Sequence, residues 1–241
     1  AVTAVSDFLA RETRRVFGVT RDLEVIPNFV DTRQYRPRDD ESGRQAWAAP
    51  GESLLVHASN FREVKNLPAV IDVFAGVAAR LPARLLLLGD GPEREPALAR
   101  AAAAGVADRV HAPGLVADLA EYLPLGDLLL LPSLHESFGL VALEAMACGL
   151  PVIATDRGGA DTFIDHGVNG FLHAPDDVAG MVDTAVRVLR DPGLRQHLAE
   201  EARRDAVETF GTRCVLKQYV ELYDRVLGQH PAGSPPRSTG G

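Results

Sequence analysis

Along this chain, short runs of consecutive apolar residues alternate with longer stretches whose apolar positions recur every three or four residues. The runs at 53–59, 84–89, 110–112, 128–131, 152–154 and 171–173 are strand-sized. Between them, the spacing of Val70, Ile71, Phe74, Val77 and Leu81 predicts one amphipathic helix. Residues 92–104 predict another, with Pro92 in its first turn, where a missing N–H costs nothing. Further helical segments fall near 119–123, 139–148, 162–165 and 178–190, and two more, 194–210 and 214–227, follow the last strand. Strands without polar alternation must be buried on both faces, so this order predicts a parallel sheet with helices on both sides. The expected fold class is α/β, a doubly wound Rossmann-like domain that binds its ligand outside the carboxyl ends of the strands.

The flanking segments read differently. Residues 1–6 look like a strand, Ser6 can cap a helix running to Phe17, and Gly18 can stop it. A short apolar run at 23–26 ends at Pro27-Asn28. Residues 31–50 read as a connector carrying one short helix, and 51–228 as the main domain with its closing helices. The tail 229–241, full of Pro, Gly and Ser, buries too little apolar surface to order and is expected to be disordered. The chain opens without Met inside a strand, as a piece of a longer protein would.

With 46% hydrophobic and 24% charged residues among 241, the composition is that of an ordinary globular chain. A net charge of −8 and a pI near 5.4 argue against nucleic acid or an anionic membrane as partner, because such binding is mostly phosphate neutralisation by a basic face. No apolar run reaches membrane-spanning length. Cys148 and Cys214 match no metal-ligand spacing, so free thiols in a reducing, cytoplasmic setting are expected. No Asp-x-Asp clamp for a metal-bound diphosphate occurs, and neither a metal nor another cofactor is expected. Of the 25 cationic residues only Lys65 and Lys217 are lysine, which singles out Lys65 slightly.

The loops after the strands carry the candidate chemistry. Asn60-Phe61-Arg62-Glu63-Val64-Lys65-Asn66 follows the first sheet strand; Arg62 as a fork and Lys65 as a compact charge can hold two phosphates, or both can be solvated loop charges. Gly89-Asp90-Gly91-Pro92 lets the backbone approach a ligand or simply turn. Arg94 occupies the third glycine position of the dinucleotide fingerprint, which weakens a dehydrogenase reading. Ser137, Phe138, Gly139 and Leu140 lead into a helix whose first N–H groups are unpaired and suit an anion. Glu136 and Glu144 flank that start and suit the vicinal hydroxyls of a sugar; taken blandly, they are a helix-start acid and a surface residue. The Gly-rich loop 155–161 either presents N–H groups to a sugar or only turns. Among possible bases, His57 and His111 read as core or rim histidines, and His135 lies in the loop beside Glu136.

In order and spacing, Ser59-Asn60-Phe61-Arg62 with Lys65, Gly89-Asp90-Gly91-Pro92, and Glu136-Ser137-Phe138-Gly139-Leu140 through Glu144-Ala145-Met146-Ala147-Cys148-Gly149 and Pro151 resemble the retaining glycosyltransferases of family 4. The likeness extends to about Leu227. It implies the GT-B fold, two Rossmann-like domains facing across a cleft, of which this chain matches the C-terminal, donor-binding one, with residues 1–30 as the remnant of the N-terminal domain and the interdomain connection. Val2-Thr3-Ala4-Val5-Ser6 and Ile26-Pro27-Asn28-Phe29-Val30-Asp31 resemble more narrowly the bacterial branch that transfers N-acetylglucosamine from its UDP form to L-malate in bacillithiol biosynthesis.

By that resemblance Arg62 and Lys65 hold the diphosphate and stabilise the departing UDP in place of a metal. Glu144 takes the ribose, and Glu136 takes the transferred sugar together with the amides of Phe138, Gly139 and Leu140. Asn60, Gly89, Gly91 and Ser137 complete the donor site, and the backbone of 111–116, with Leu115 and Val116, pairs with uracil. The acceptor residues would lie in a preceding half, so the chain alone is expected to bind UDP or UDP-N-acetylglucosamine weakly and to transfer sugar slowly or not at all. A family 4 enzyme with another acceptor, such as inositol phosphate, and a nucleotide-sugar-binding module inactive without a partner are the alternatives. A homo-oligomer is left open.

Overall fold

The structure, a computed structural model, describes residues 1–228; the expectation about the tail falls on 229–241, outside the described residues. The chain begins with strand β1 (Val2–Ala4), helix α1 (Asp7–Phe17) and strand β2 (Leu23–Val25). The two strands pair in parallel as a small sheet of their own. Ser6 caps α1 by accepting the Leu9 N–H at 3.1 Å, and Gly18, in the left-handed region at φ 61°, ends it, as expected from the residue types. Helix α2 (Glu41–Gln45) is the one short helix of the connector.

The main sheet is built from β3 (Ser53–Ala58), β4 (Ala83–Leu88), β5 (Val110–Gly114), β6 (Leu128–Leu131), β7 (Val152–Thr155) and β8 (Phe171–His173). The order is β5-β4-β3-β6-β7-β8 and every pairing is parallel. Helices α3 (Leu67–Ala78), α4 (Arg94–Ala103), α5 (Leu140–Ala147), α6 (Val178–Arg190), α7 (Pro192–Glu208) and α8 (Thr212–Gly228) follow in chain order. Successive strand residues serve opposite layers. Leu54, Val56, Leu86, Leu88, Leu129 and Leu131 join one cluster with α5 and α7, while Leu55, Leu85, Leu87, Leu128 and Leu130 join a second with α3, α4 and α6. Truncating one of these fully buried leucines to Ala costs about 2–5 kcal/mol.

The chain fills the sheet from β3 outward through β4 to β5, then returns to β6 on the other side of β3. The order therefore reverses between β3 and β6, and the loops leaving these two strands diverge and open a crevice at their carboxyl ends. Both main-chain bonds from Val30, which accepts from Thr212 and donates to Phe210, tie the connector to the start of α8.

Three local expectations are corrected. Helix α4 starts at Arg94 with Glu93 as its cap, so Pro92 belongs to the preceding turn rather than to the first helical turn. The segments near 119–123 and 162–165 are only 3-10 turns, Leu119–Glu121 followed by Leu123–Leu125, and Gly159–Thr162; each is too short to propagate an α-helix.

Candidate functional site

Strand β3 delivers a buried polar relay to the crevice. His57 is fully buried, and burial pushes its pKa down to about 4, so it is neutral. Its Nδ1 lies 2.8 Å from the Leu130 carbonyl, which can only accept, so Nδ1 carries the proton and Nε2 accepts from the Ser59 hydroxyl at 2.9 Å. Ser59 Oγ in turn accepts the Phe61 N–H at 3.3 Å. Phe61 is fully buried at φ +41°, a backbone state that a bulky residue adopts only when its surroundings impose it. The relay thus sets the turn that launches the 3-10 segment Glu63–Lys65.

That segment places Lys65 against the loop after β6. Lys65 Nζ donates to Glu136 Oε1 at 2.6 Å, and the fully buried Ser133 hydroxyl donates to the same oxygen at 2.8 Å. Glu136 is 8% exposed, and its Oε2 has no hydrogen-bond partner among the described residues. An acceptor is therefore left for a ligand hydroxyl. The Asn66 amide, donating to the Pro132 carbonyl at 3.0 Å, and the Leu134 N–H, donating to Val64 O at 2.8 Å, bind the two loops together.

Between these loops and the ends of β3 and β4 lies a cavity of about 490 Å³, a size suited to a small-molecule ligand. Of the residues singled out from the sequence, Asn60, Lys65, Gly89, Leu115, Val116, Glu136, Ser137, Phe138, Gly139 and Leu140 line it. Gly139, in the left-handed region at φ 92°, opens α5, and no side chain caps the first N–H groups of that helix. Arg62 is exposed beside the cavity but not part of its wall, and among the described residues its guanidinium has no ion-pair partner. Among the described residues no three His, Cys, Asp or Glu side chains gather as metal ligands.

Glu144 is not on the wall either; it sits one helical turn beyond Leu140 and Val141, which are. The surface alternative for Glu144 is overturned: burial raises its pKa to about 7, with the Asp118 carboxylate adding to the rise and a hydrogen bond from the Tyr35 hydroxyl opposing it. Gln34 Nε2 donates to Asp118 at 3.2 Å on the same flank.

These features coincide with matches to known proteins. The sequence profile of the glycosyl transferases group 1 matches residues 52–191, more than half of the chain. This chain belongs to the group 1 glycosyl transferases. It is 40% identical over 94% of its length to the N-acetyl-alpha-D-glucosaminyl L-malate synthase of Bacillus anthracis, and 34% identical over 86% to a D-inositol 3-phosphate glycosyltransferase of Jonesia denitrificans. It spans 60% and 52% of those relatives. Among solved structures, Anabaena HepE in complex with UDP and glucose aligns with a TM-score of 0.84 at 27% identity, covering 93% of this chain and 63% of that one. The parallel sheet wrapped by helices is the architecture of GT-B glycosyltransferases.

Within this glycosyltransferase domain several loop readings shift. Gly89 and Gly91 are held at φ 129° and 152° by the chain itself: a Cβ would fall 1.8 Å from Ser59 O at the first and 2.3 Å from Asn60 O at the second. Gly91 therefore admits the β3 loop rather than a ligand. In the 111–116 segment, residues through Gly114 belong to β5, an edge strand paired only with β4, and Leu115 and Val116 follow it on the cavity wall. The 155–161 loop neither lines the cavity nor merely turns. Gly158 pairs with Glu136 as an isolated bridge, and the Gly159 N–H donates to Glu136 O at 2.8 Å. A Cβ at Gly158 would fall 2.2 Å from Glu136 O, so the glycine permits that pairing. Sequence reading also missed Asn28 on the wall, Ser133 behind Glu136 and Tyr35 against Glu144. Their only signal was position beside a loop or strand end.

Proposed function

We propose that the cavity binds a UDP-sugar, UDP-N-acetylglucosamine, as glycosyl donor, and that the complete enzyme transfers the sugar to L-malate with retention. The observation that carries this reading is the convergence of Lys65, Glu136 and the amides at the start of α5 on one cavity wall at the point where strand order reverses. The relative from Bacillus anthracis supports the choice of sugar and acceptor, and the UDP-bound Anabaena structure supports the nucleotide.

In this scheme Lys65, with Arg62 swinging in from the rim, neutralises charge developing on the diphosphate, and the α5 amides donate to its oxygens without a divalent ion. The bond from the sugar's C1 to the phosphate oxygen breaks while the acceptor hydroxyl forms its bond on the same face. The hydroxyl proton passes to the departing phosphate. Glu136 Oε2 accepts a sugar hydroxyl and orients the ring, and Glu144 accepts the ribose hydroxyls at the far end. The inositol phosphate relative supports a second reading, the same donor site with a different acceptor.

Calorimetric titration with UDP, UDP-N-acetylglucosamine and ADP, each with and without EDTA, tests the donor assignment. Saturable binding of both uridine ligands, weaker binding of ADP and indifference to EDTA are expected. No binding of UDP at millimolar concentration overturns the assignment, and EDTA sensitivity overturns its metal-free form. Product analysis with malate against inositol phosphate separates the two acceptors.

A further inference from the structure

Ser6 is 131 residues away from Ser137 in sequence and does not line the cavity, yet it holds a loop of the cavity wall. It is fully buried; its Oγ accepts the Leu9 N–H at 3.1 Å and donates to the Ser137 carbonyl at 2.6 Å. The preceding carbonyl, of Glu136, accepts from the Gly159 N–H at 2.8 Å. Both tethers lie on one side of the loop: a Cβ built on Gly159 would meet Ser137 O at 2.3 Å and Ser6 Oγ at 2.8 Å.

A trans peptide unit is planar, with its C=O and N–H pointing in opposite directions. Tethering the carbonyls of Glu136 and Ser137 to Gly159 and Ser6 therefore turns the N–H groups of Ser137 and Phe138 away from that side. Neither N–H has a hydrogen-bond partner among the described residues, and both residues line the cavity. Two successive unpaired amides aimed the same way can donate to the oxygens of a ligand beside Glu136.

We propose that Ser6 is a positioning residue for the transferred sugar: from the start of α1 its hydroxyl locks the Ser137–Phe138 peptide so that the Phe138 amide is presented to an oxygen of the sugar held by Glu136. The inference rests on the UDP-sugar reading above and extends it. It makes affinity for the sugar depend on where α1 sits, so that a shift of residues 1–17 relative to the main sheet loosens the grip on the sugar without touching the nucleotide contacts.

The test compares wild type with Ser6→Gly and Ser6→Ala in titrations with UDP-N-acetylglucosamine and with UDP, followed by NMR. Glycine is tolerated almost as well as serine at a helix N-cap, so Ser6→Gly removes the tether with little loss of α1. Losing one well-placed hydrogen bond to the loop is expected to weaken UDP-N-acetylglucosamine about tenfold, with UDP affinity unchanged. In the wild type, UDP-N-acetylglucosamine should shift the Leu9 amide resonance further than UDP does, because Leu9 N–H and Ser137 O share the Ser6 hydroxyl. That measurement decides the matter if both variants fail to fold. Unchanged UDP-N-acetylglucosamine affinity in a folded variant, equal losses for the two ligands, or a Leu9 amide that both ligands shift equally overturns the proposal. Failure of the wild type to bind UDP at all overturns the donor assignment and this inference with it.

Discussion

Two glutamates eight residues apart in sequence meet opposite surroundings. Glu136, in the loop after β6, has an ammonium at 2.6 Å and a buried hydroxyl at 2.8 Å on one oxygen. Glu144, one turn into α5, is half-buried against Tyr35 and faces the Asp118 carboxylate, and its pKa is raised to about 7. The first has a counter-charge on its bonded oxygen; the second has none, and burial raises its pKa. In the proposed scheme the one orients the sugar and the other makes a ribose contact that depends on pH.

The strongest way to break this contrast is to remove the ammonium. Lys65→Met strands a carboxylate that is 9% exposed, and unfolding in urea should show a loss of about 2–3 kcal/mol, below the full cost of a completely buried pair because Lys65 retains 19% exposure. UDP affinity should fall about a hundredfold. Stability equal to wild type would show that the pair does not hold the loops.

Glu144→Gln sharpens the contrast from the other side. Because the folded pKa of Glu144 lies above its ordinary 4.5, the folded chain keeps a proton that the unfolded chain releases, and stability falls as pH rises from about 4.5 through about 7. The whole window amounts to on the order of 3 kcal/mol, and the Gln variant should lack that slope in pH-dependent melting. Ribose hydroxyls need the ionised form, so wild-type UDP affinity should rise across the same window and the variant's should stay flat. A flat wild-type profile would remove Glu144 from the nucleotide site.

Smaller effects follow for the outer residues. Arg62 is exposed and unpaired among the described residues, so Arg62→Ala should leave melting unchanged while weakening UDP about tenfold through one lost charge-assisted contact. Tyr35→Phe removes the hydrogen bond that lowers the Glu144 pKa and should move the midpoint of the affinity profile to higher pH. A midpoint that moves down or stays would show that Tyr35 does not bond the carboxyl.

The six main strands and the long helices were legible because each depends on a repeat within its own few residues. Residues 178–190 match Val178–Arg190, and 128–131 match Leu128–Leu131. The short 3-10 turns were not, since three or four residues are too few to show a period. At the site, Lys65 and Glu136 were each visible as loop charges after a strand, but their pairing was not. Their separation of 71 positions carries no signal of proximity. Ser6 read as a helix cap and nothing more, because its second bond reaches Ser137 only across the folded domain.

Local hydrophobic spacing, together with Gly, Pro and Ser at the breaks, was enough to specify the strands, most helices and the class of sheet, because these follow from neighbours along the chain. Which groups face one another across the cavity was decided only when strand order reversed between β3 and β6. That reversal set Lys65 on Glu136, while the packing of the connector and of α1 against the main domain set Tyr35 on Glu144 and Ser6 on Ser137. Charge pairing, burial and the shifts they impose are properties of distance in space, and a linear sequence does not carry that distance.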